Sequence, residues 1–394
     1  MSSPESVVRP VTAGVVTALV GFTSAFVVVL TGLTAVGATT AQASSGLLAV
    51  SATMGLASII LARWSRLPIT VAWSTPGAAL LASTGVVEGG WSAAVGAFIV
   101  VGVLIVLTGL LPQLGALIAK IPTSVAQAML AGILFQLCLG PVTGLAENPL
   151  DVAPVVIVWL VALRFVPRWA VPLAFLTAAV VIAVEVARAG ADVPLSSLSP
   201  QVELTAPTFT VASLVGIALP LYLVTMASQN VPGVSVMSSL GYTVPWRRTM
   251  LVTGAGTLVG APAGGHAINL AAISAALAAG PEAGESKDRR WIASVTSGAV
   301  VIVLGLAASA FGILVSLAPA GVIAAVAGLA LLGTFASSIK AAIDVPGEQI
   351  PAALTFVTAA SGIAILGVSA AFWALVVGVV ARAVLRRPPV AENA

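Results

Sequence analysis

The chain has 394 residues, of which 59% are hydrophobic and 7% are charged, and its net charge is +3. Soluble globular proteins carry about 25% charged residues, so a water-soluble fold is excluded and lipid is the expected solvent for the apolar surface. The scattered basic residues argue against nucleic-acid binding, and the N-terminus does not have the pattern of a cleavable signal peptide.

The sparse charges divide the first half of the chain into seven predicted spans, at roughly 20 apolar residues each. The uncharged stretch between residues 9 and 63 has room for two spans. The other five fill the intervals 66–88, 88–120, 120–147, 151–164 and 168–185. A polar stretch over 188–207 follows, which is the predicted loop between the halves and contains Asp192, Ser196, Ser197, Gln201 and Glu203.

The second half again offers seven predicted spans, at 208–228, 247–262, 266–280, 291–311, 319–338, 350–366 and 368–385. With the N-terminus in the cytoplasm, alternation leaves fifteen of the sixteen basic residues on the cytoplasmic side and only Arg188 outside. This agrees with the positive-inside rule. The sequence therefore predicts an all-α membrane protein of 14 spans with both termini cytoplasmic.

Seven spans per half place the halves in opposite orientations, so residues 1–200 and 201–394 are predicted to form two inverted repeats. The third span of each half is interrupted by Pro and Gly. The first begins with a β-branched run before Pro76, and the second contains Pro262 and Gly264 before a helical Ala/Ile/Leu pattern. Such paired interruptions indicate a transport site, built from a short β-like stretch and a half-helix in each repeat.

His266, the single histidine, is predicted to lie at the start of the second half-helix. Its ordinary pKa of about 6.5 suits proton exchange near neutrality, so His266 is the candidate proton-coupling residue. A neutral histidine that hydrogen-bonds across a helix contact is the structural alternative.

The two half-helix N-termini, near Ser74 and Thr75 and near Gly265 and His266, are predicted to point free amide groups toward the midplane, where they would hold an anion. Gly77 belongs to the same candidate site. Helix capping alone is the alternative for the two hydroxyl groups.

Three amide side chains complete the candidate substrate site. Gln229 and Asn230 are interpreted as the end of span 8, where they either line the site or satisfy backbone groups freed by Pro232. Asn269 follows His266 at a spacing that would place both on one helix face, as a substrate contact or as the partner that fixes the histidine tautomer.

Other polar and aromatic residues are weaker candidates. Single glutamines are more often contacts between helices, and aromatic residues are usually packing. This set comprises Gln42, Gln127, Gln136, Trp73 and Phe22. The sequence contains no phosphate-binding loop and no metal-ligand cluster, so we expect no enzymatic activity, no metal and no cofactor.

Four segments of the chain resemble the benzoate:proton symporter family of the BenE type. They are residues 68–81, residues 229–233 with Gly241 and Tyr242, residues 261–272, and residues 369–375. The likeness runs over nearly the whole chain. The family looks related in fold to the uracil/xanthine carriers, which implies a core domain of spans 1–4 and 8–11 and a gate domain of spans 5–7 and 12–14.

The chain departs from those nucleobase carriers in one respect. They use membrane-embedded glutamates in spans 8 and 10, whereas the corresponding regions here hold Gln229, Asn230, His266 and Asn269, with no acid. The loss of negative charge suits an anionic substrate. It leaves either His266 or the substrate carboxyl group as the proton carrier.

The resemblance implies proton-coupled symport of benzoate or a similar small aromatic carboxylate, by alternating access, across a bacterial-type cytoplasmic (inner) membrane. It also allows a homodimer. The alternatives are a nucleobase or inorganic-anion carrier on the same fold, a polytopic membrane enzyme, and a passive channel.

Overall fold

The computed structural model describes residues 7–190, 194, 198–272, 274–363, 365 and 368–385. Within these ranges the protein is mostly helical, as the sequence predicts. Parts of the predicted central loop and the C-terminal basic residues lie outside the described residues, namely Asp192, Ser196, Ser197, Arg386 and Arg387.

In its described part, the first half of the chain forms ten helices and one strand. These are α1 (Val8–Thr23), α2 (Phe26–Ala35), α3 (Thr40–Ser65), β1 (Val71–Trp73), α4 (Thr75–Thr84), α5 (Gly90–Leu110), α6 (Pro112–Ala119), α7 (Thr123–Cys138), α8 (Gly140–Glu147), α9 (Pro149–Phe165) and α10 (Ala170–Ala189). A 3₁₀ turn, Pro167–Trp169, precedes α10.

The described part of the second half follows a similar order. It contains α11 (Val211–Ser213), α12 (Leu219–Thr225), α13 (Val231–Ser239), α14 (Trp246–Gly260), β2 (Ile268–Leu270), α15 (Ala275–Ala279), α16 (Trp291–Gly305), α17 (Ala308–Ser316), α18 (Val322–Ile343), α19 (Gln349–Ala360) and α20 (Ala370–Leu385). Helices α11, α12 and α13 are joined by two π-helical turns, Leu214–Ala218 and Met226–Asn230, into one continuous stretch.

Seven helical stretches among the described residues have the length and apolar composition to cross a membrane, and the bent pair of α16 and α17 would make an eighth. The seven are Val8–Ala35, Thr40–Ser65, Gly90–Leu110, Thr123–Glu147, Pro167–Ala189, Val211–Ser239 and Val322–Ile343. Helices α19 and α20 are shorter and also apolar. A helical membrane protein with many spans is therefore confirmed, whereas the count of fourteen stays a prediction.

The predicted end of span 8 at residue 228 is wrong, because the helix continues to Ser239. Pro232 has no N–H group and cannot donate to the carbonyl group four residues earlier, which would ordinarily break a helix. The π turn Met226–Asn230 lies just before this proline and absorbs the irregularity. Gln229 and Asn230 therefore lie within the helix and not at its end.

Strands β1 and β2 pair antiparallel, with Val71 opposite Leu270 and Trp73 opposite Ile268. The β-branched run before Ser74 favours an extended chain, and Pro76 in the first turn of α4 is compatible with a helix start. Each of the two interrupted spans thus contains a short strand followed by a helix. The first span has this order as predicted, whereas in the second the Ala/Ile/Leu pattern predicted to be helical after Gly264 contains the strand β2.

Helices α1–α5 and α11–α17 form one packing group, and the close contacts within it depend on small residues. Helices α3 and α16 cross at Gly55 and Gly298, where a Cβ atom added to either glycine would lie 2.5 Å from the carbonyl oxygen of the other. Helix α16 also packs on α1, and α14 packs on α3 and α5. Small residues at such crossings let membrane helices approach closely, which increases van der Waals contact.

The remaining long helices form a second packing group, in which α7 contacts α18, α19 and α20, and α9 contacts α10. An added Cβ atom at Gly132 would lie 2.6 Å from the carbonyl oxygen of Phe356, and one at Gly328 would lie 2.6 Å from that of Leu137. The two groups meet through smaller contacts, such as α4 with α7 and α1 with α10.

Candidate functional site

The paired strands bring the two interrupted spans into direct contact. Beyond the strands, the amide of Ser74 donates to the carbonyl oxygen of Ala267 at 2.9 Å, and the amide of Ala271 donates to that of Thr70 at 2.9 Å. The antiparallel register therefore places the start of α4 beside the segment that precedes β2. The two halves of the predicted site do converge.

Ser74 caps helix α4 and is fully buried. Its hydroxyl oxygen accepts a hydrogen bond from the amide of Gly77 at 3.1 Å and another from the Thr225 hydroxyl at 2.8 Å. The cap satisfies one of the free amides at the helix start. Both bonds are internal, so Ser74 connects span 3 to span 8.

Thr225 was not among the sequence candidates. A hydroxyl group one helical turn before Gln229, in a stretch with two prolines, was the signal that could have identified it. Thr75, by contrast, is half-buried and makes no side-chain hydrogen bond within the described residues. Its hydroxyl group at the start of α4 therefore keeps its capacity to bind a ligand.

Gly77 contributes close packing. A Cβ atom at this position would lie 2.7 Å from the Ser74 hydroxyl oxygen and would collide with the side chain of Leu221 on α12. Its amide already donates to Ser74. A glycine here lets span 8 approach the start of α4.

Asn230 is fully buried and joins span 8 to the second strand. Its Oδ1 atom accepts from the amide of Leu270 at 2.9 Å, and its Nδ2 atom lies 3.1 Å from the sulfur of Met226. Asn230 thus accepts from a backbone amide of β2 and does not satisfy a carbonyl group freed by Pro232. Neighbouring Gln229 is 9% exposed and makes no side-chain hydrogen bond among the described residues.

The predicted position of His266 at the start of a half-helix is wrong. His266 precedes β2, and helix α15 begins only at Ala275. Gly264 adopts a left-handed conformation with φ of 88°, and the chain then runs extended along β1. Gly265 likewise lies before the strand, and its amide donates to the carbonyl oxygen of Gly260.

The His266 side chain is buried, at 1% exposed, and both ring nitrogens lack a hydrogen-bond partner among the described residues. Its ring contacts that of Phe98 edge-on, with the centroids 6.5 Å apart. Buried polar atoms are normally paired. The His266 ring therefore makes no hydrogen bond across a helix contact among the described residues.

Asn269 does not share a face with His266, because the segment is extended and an odd spacing alternates between faces. Asn269 is fully buried. Its Nδ2 atom donates to the carbonyl oxygen of Leu270 at 2.9 Å, and its Oδ1 atom has no partner in the part of the chain that the structure describes.

An aromatic cluster adjoins the start of α4. Phe22 contacts Trp73 edge-on at 5.3 Å between centroids and stacks on Phe26 at 5.6 Å. Phe311 of α17 lies 5.4 Å from Phe22, and Phe175 of α10 lies 4.7 Å from Phe26. The sequence indicated only Phe22 and Trp73; the four-residue spacing from Phe22 to Phe26 was the available signal for a third member.

The site as a whole carries no formal charge on the residues named above. Its polarity comes from hydroxyl and amide groups and from the N-terminus of α4, whose aligned peptide dipoles favour a negative charge. Chemically, the arrangement offers hydrogen-bond donors for an anion next to aromatic surface for an apolar ring. Among the described residues no cluster of His, Cys, Asp and Glu could hold a metal ion.

Comparisons with known proteins place these features in context. The sequence model of the family described as "Benzoate membrane transport protein", BenE, matches residues 5–384. The "Inner membrane protein YdcO" of Escherichia coli (strain K12) is 37% identical over 373 residues, which cover 95% of both chains. The "Benzoate membrane transport protein" of Acinetobacter baylyi is 33% identical over 376 residues and also covers 95% of both.

Solved structures share the fold at low sequence identity. The transmembrane domain of the cyanobacterial bicarbonate transporter BicA matches with a TM-score of 0.61 and 14% identity, over 95% of this chain and 99% of that one. The murine anion transporter Slc26a9 in its inward-facing state matches with a TM-score of 0.65 and 13% identity, over 98% of this chain and 69% of that one.

Proposed function

Because this chain belongs to the benzoate membrane transport (BenE) family, we propose that it carries benzoate or a similar small aromatic carboxylate together with a proton, by alternating access. It is a multi-pass membrane transporter and not an enzyme. The observation that supports the substrate class is the uncharged cluster of donors at the start of α4 beside an aromatic cluster.

Three groups would hold the carboxylate in this proposal. The N-terminus of α4 supplies its dipole, Thr75 supplies a free hydroxyl group, and Gln229 supplies an unpaired amide. The Thr225 hydroxyl group donates to Ser74 at the start of α4. Gln229 follows Thr225 by one turn, which would place its amide near the same helix start. Gly265, Asn269 and Gly77 would shape the site from the strands and the first turn of α4.

The substrate ring would lie against Phe22 and Trp73. Aromatic pairs in edge-to-face or offset arrangements contribute about 0.5–1.5 kcal/mol beyond burial of their surface. Phe22 lies in the last turn of α1, just before the helix is interrupted at Ser24 and Ala25. A substrate ring inserted between Phe22 and Trp73 would replace the contact that these two side chains now make with each other.

Proton coupling would depend on His266 or on the substrate carboxyl group. A buried imidazole without a partner can take up a proton only if a charged or polar group approaches it. The unpaired ring nitrogens of His266 support its candidacy. The amide of Ser74 donates to the carbonyl oxygen of Ala267, so His266 precedes by one residue the point where this segment meets the start of α4.

The proposed topology has 14 spans in two inverted repeats, residues 1–200 and 201–394. Two observations support it. The third span of each half is a strand followed by a helix, and the two strands run antiparallel, as expected for segments of opposite orientation. Packing supports a core domain of spans 1–4 and 8–11 and a gate domain of spans 5–7 and 12–14, since α3 packs on α16 and α7 packs on α18.

The proposed location is a bacterial-type cytoplasmic membrane with both termini in the cytoplasm. The name of the Escherichia coli relative, an inner membrane protein, supports the proposed location. The distribution of basic residues supports the proposed orientation. A homodimer also belongs to the proposal, by analogy with transporters of this architecture.

Uptake of radiolabelled benzoate into proteoliposomes tests the function, with and without an inward proton gradient. We expect accumulation that requires the gradient and collapses with a protonophore. Competition by uracil, xanthine and bicarbonate distinguishes the alternatives. Uptake of one of these without uptake of benzoate would overturn the substrate, and uptake that never exceeds the external concentration would indicate a channel.

A further inference from the structure

A cationic pocket of about 310 Å³ lies at the proposed cytoplasmic edge of the protein, between the connection of α6 to α7 and the last turns of α20. Lys120 and Arg382 supply its charges, and Leu117, Ile121, Pro122 and Val379 form its apolar walls. It is separate from the strand pair and the substrate site described above.

Arg382 is held in place from one side. Its Nε atom donates to Oε1 of Glu348 at 2.5 Å, and the other carboxylate oxygen of Glu348 accepts from the hydroxyl group of Ser124. The side chains of Arg382 and Glu348 are 27% and 17% exposed. The pair orders the guanidinium group through its Nε atom, and the two terminal nitrogens of Arg382 make no hydrogen bond within the described residues.

Lys120 lies across the pocket from this pair and is exposed. Its side chain makes no ion pair or hydrogen bond within the described part of the chain. Against the single negative charge of Glu348, the two cations leave a positive excess. An ordered arginine and a free lysine around a cavity of this size match a phosphate group.

The surroundings of the pocket indicate where that phosphate comes from. Leu111 just before α6 and Leu117 within it are 48% and 59% exposed, and Val380 and Val384 of α20 are 54% and 76% exposed. Such side chains face hydrocarbon in a membrane protein, whereas Lys120 and Arg382 stand at the helix ends, at headgroup level. A ligand that carries both a phosphate and acyl chains fits both features.

We propose that this pocket binds an anionic phospholipid of the cytoplasmic leaflet, with the phosphate between Lys120 and Arg382 and an acyl chain along Leu117 and Val379. Helix α6 joins α5, which packs on α14, to α7, which packs on α18. A bound lipid would therefore stabilise the connection between the two packing groups. The proposal uses the proposed orientation but not the identity of the transported substrate.

Native mass spectrometry of the full-length protein, with phosphatidylglycerol or phosphatidylcholine added, tests the proposal. We expect preferential retention of phosphatidylglycerol, reduced about fivefold by Lys120→Gln, which corresponds to the ~1 kcal/mol that one basic residue contributes beside an anionic leaflet. Lys340→Gln is the matched control, since Lys340 lies in the last turn of α18, pairs with Asp344 and does not line the pocket.

Three outcomes would overturn the inference. Equal retention of the two lipids would exclude recognition of an anionic headgroup, and an equal effect of the two lysine variants would exclude this pocket. Displacement of the lipid by millimolar inorganic phosphate would identify a free-phosphate site instead. Because lipid retention is measured without transport, its result does not depend on whether the protein takes up benzoate.

Discussion

At the scale of single residues, the neighbouring amides of span 8 have different roles. Asn230 uses its oxygen to satisfy the amide of Leu270 in β2, whereas Gln229 makes no side-chain hydrogen bond within the described residues. Both are buried in the π turn before Pro232. Asn230 therefore belongs to the scaffold, whereas the proposed function assigns Gln229 to the substrate.

We expect Asn230→Ala to destabilise the protein by about 1–3 kcal/mol, since the amide of Leu270 would remain buried without an acceptor. Thermal unfolding in detergent, followed by tryptophan fluorescence, measures the effect. Gln229→Ala is the matched control in the same turn, with unfolding close to wild type but a raised Michaelis constant for benzoate uptake. Wild-type unfolding of Asn230→Ala would remove Asn230 from the scaffold.

His266→Gln preserves the approximate size of the side chain and its hydrogen-bonding capacity but cannot take up a proton at these pH values. We expect the rate of gradient-driven benzoate uptake to fall by about a hundredfold, the lower end of acid–base contributions, while exchange of internal for external benzoate continues. Uptake and counterflow measured over pH 5–8 separate the two activities. Wild-type accumulation with an unchanged pH profile would assign the proton to the substrate carboxyl group.

At the scale of elements, the start of α4 depends on one hydroxyl group that serves two helices. Ser74 accepts from Gly77 within α4 and from Thr225 of α12. We expect Ser74→Ala to lower the free energy of unfolding by about 1 kcal/mol, as for other lost helix caps. It should also weaken substrate binding, because the helix start loses its position relative to span 8.

A double-mutant cycle of Ser74→Ala and Thr225→Val isolates the contact between the two spans. We expect a coupling energy of about 1 kcal/mol, within the range for residues in direct contact. Thr253→Val is the control, because its hydroxyl group bonds within its own helix. Additive effects of Ser74→Ala and Thr225→Val would show that the hydrogen bond does not couple the spans.

The interrupted spans also show how far the sequence could predict the fold. Pro76 and Gly77 after a β-branched run correctly predicted a strand and then a helix in span 3. Ile268 and Leu270 are apolar residues that fit either structure over so short a run, and their strand exists because β1 pairs with it. The position of His266 therefore depends on contacts with residues distant in the sequence, and so do the roles of Asn230 and Thr225.

At the scale of the whole molecule, the composition predicted a membrane protein, and the spacing of charges predicted most of the apolar helices. The continuation of span 8 through Pro232 could not be predicted, since a π turn depends on how neighbouring helices satisfy the backbone. The aromatic cluster likewise joins α1, α2, β1, α10 and α17. Only tertiary packing brings these elements together.

An ion pair spans the proposed cytoplasmic side between the two packing groups. Arg168, between α9 and α10, pairs with Glu282, between α15 and α16, and their side chains are 56% and 49% exposed. A cavity of about 280 Å³ beside the pair is lined by Val16 and Leu277, among others. If the groups move relative to each other during transport, this contact must break whenever the cavity opens.

We expect Arg168→Glu to increase opening of this cavity by up to about fivefold, because an exposed ion pair contributes at most ~1 kcal/mol. Thiol labelling of Leu277→Cys measures the opening, in a background where the single cysteine, Cys138, is replaced by serine. The double variant Arg168→Glu/Glu282→Arg should restore slow labelling, because the swapped charges attract again.

The control for this experiment is the second ion pair beside the cavity. Arg9 of α1 pairs with Glu285 at 3.5 Å, and both residues belong to the packing group of α1 and α16, so their contact does not cross between groups. Arg9→Glu should therefore leave the labelling of Leu277→Cys unchanged. Equal acceleration by Arg9→Glu and Arg168→Glu would attribute the effect to local charge, and no acceleration by Arg168→Glu would show that the bridging pair does not restrain opening.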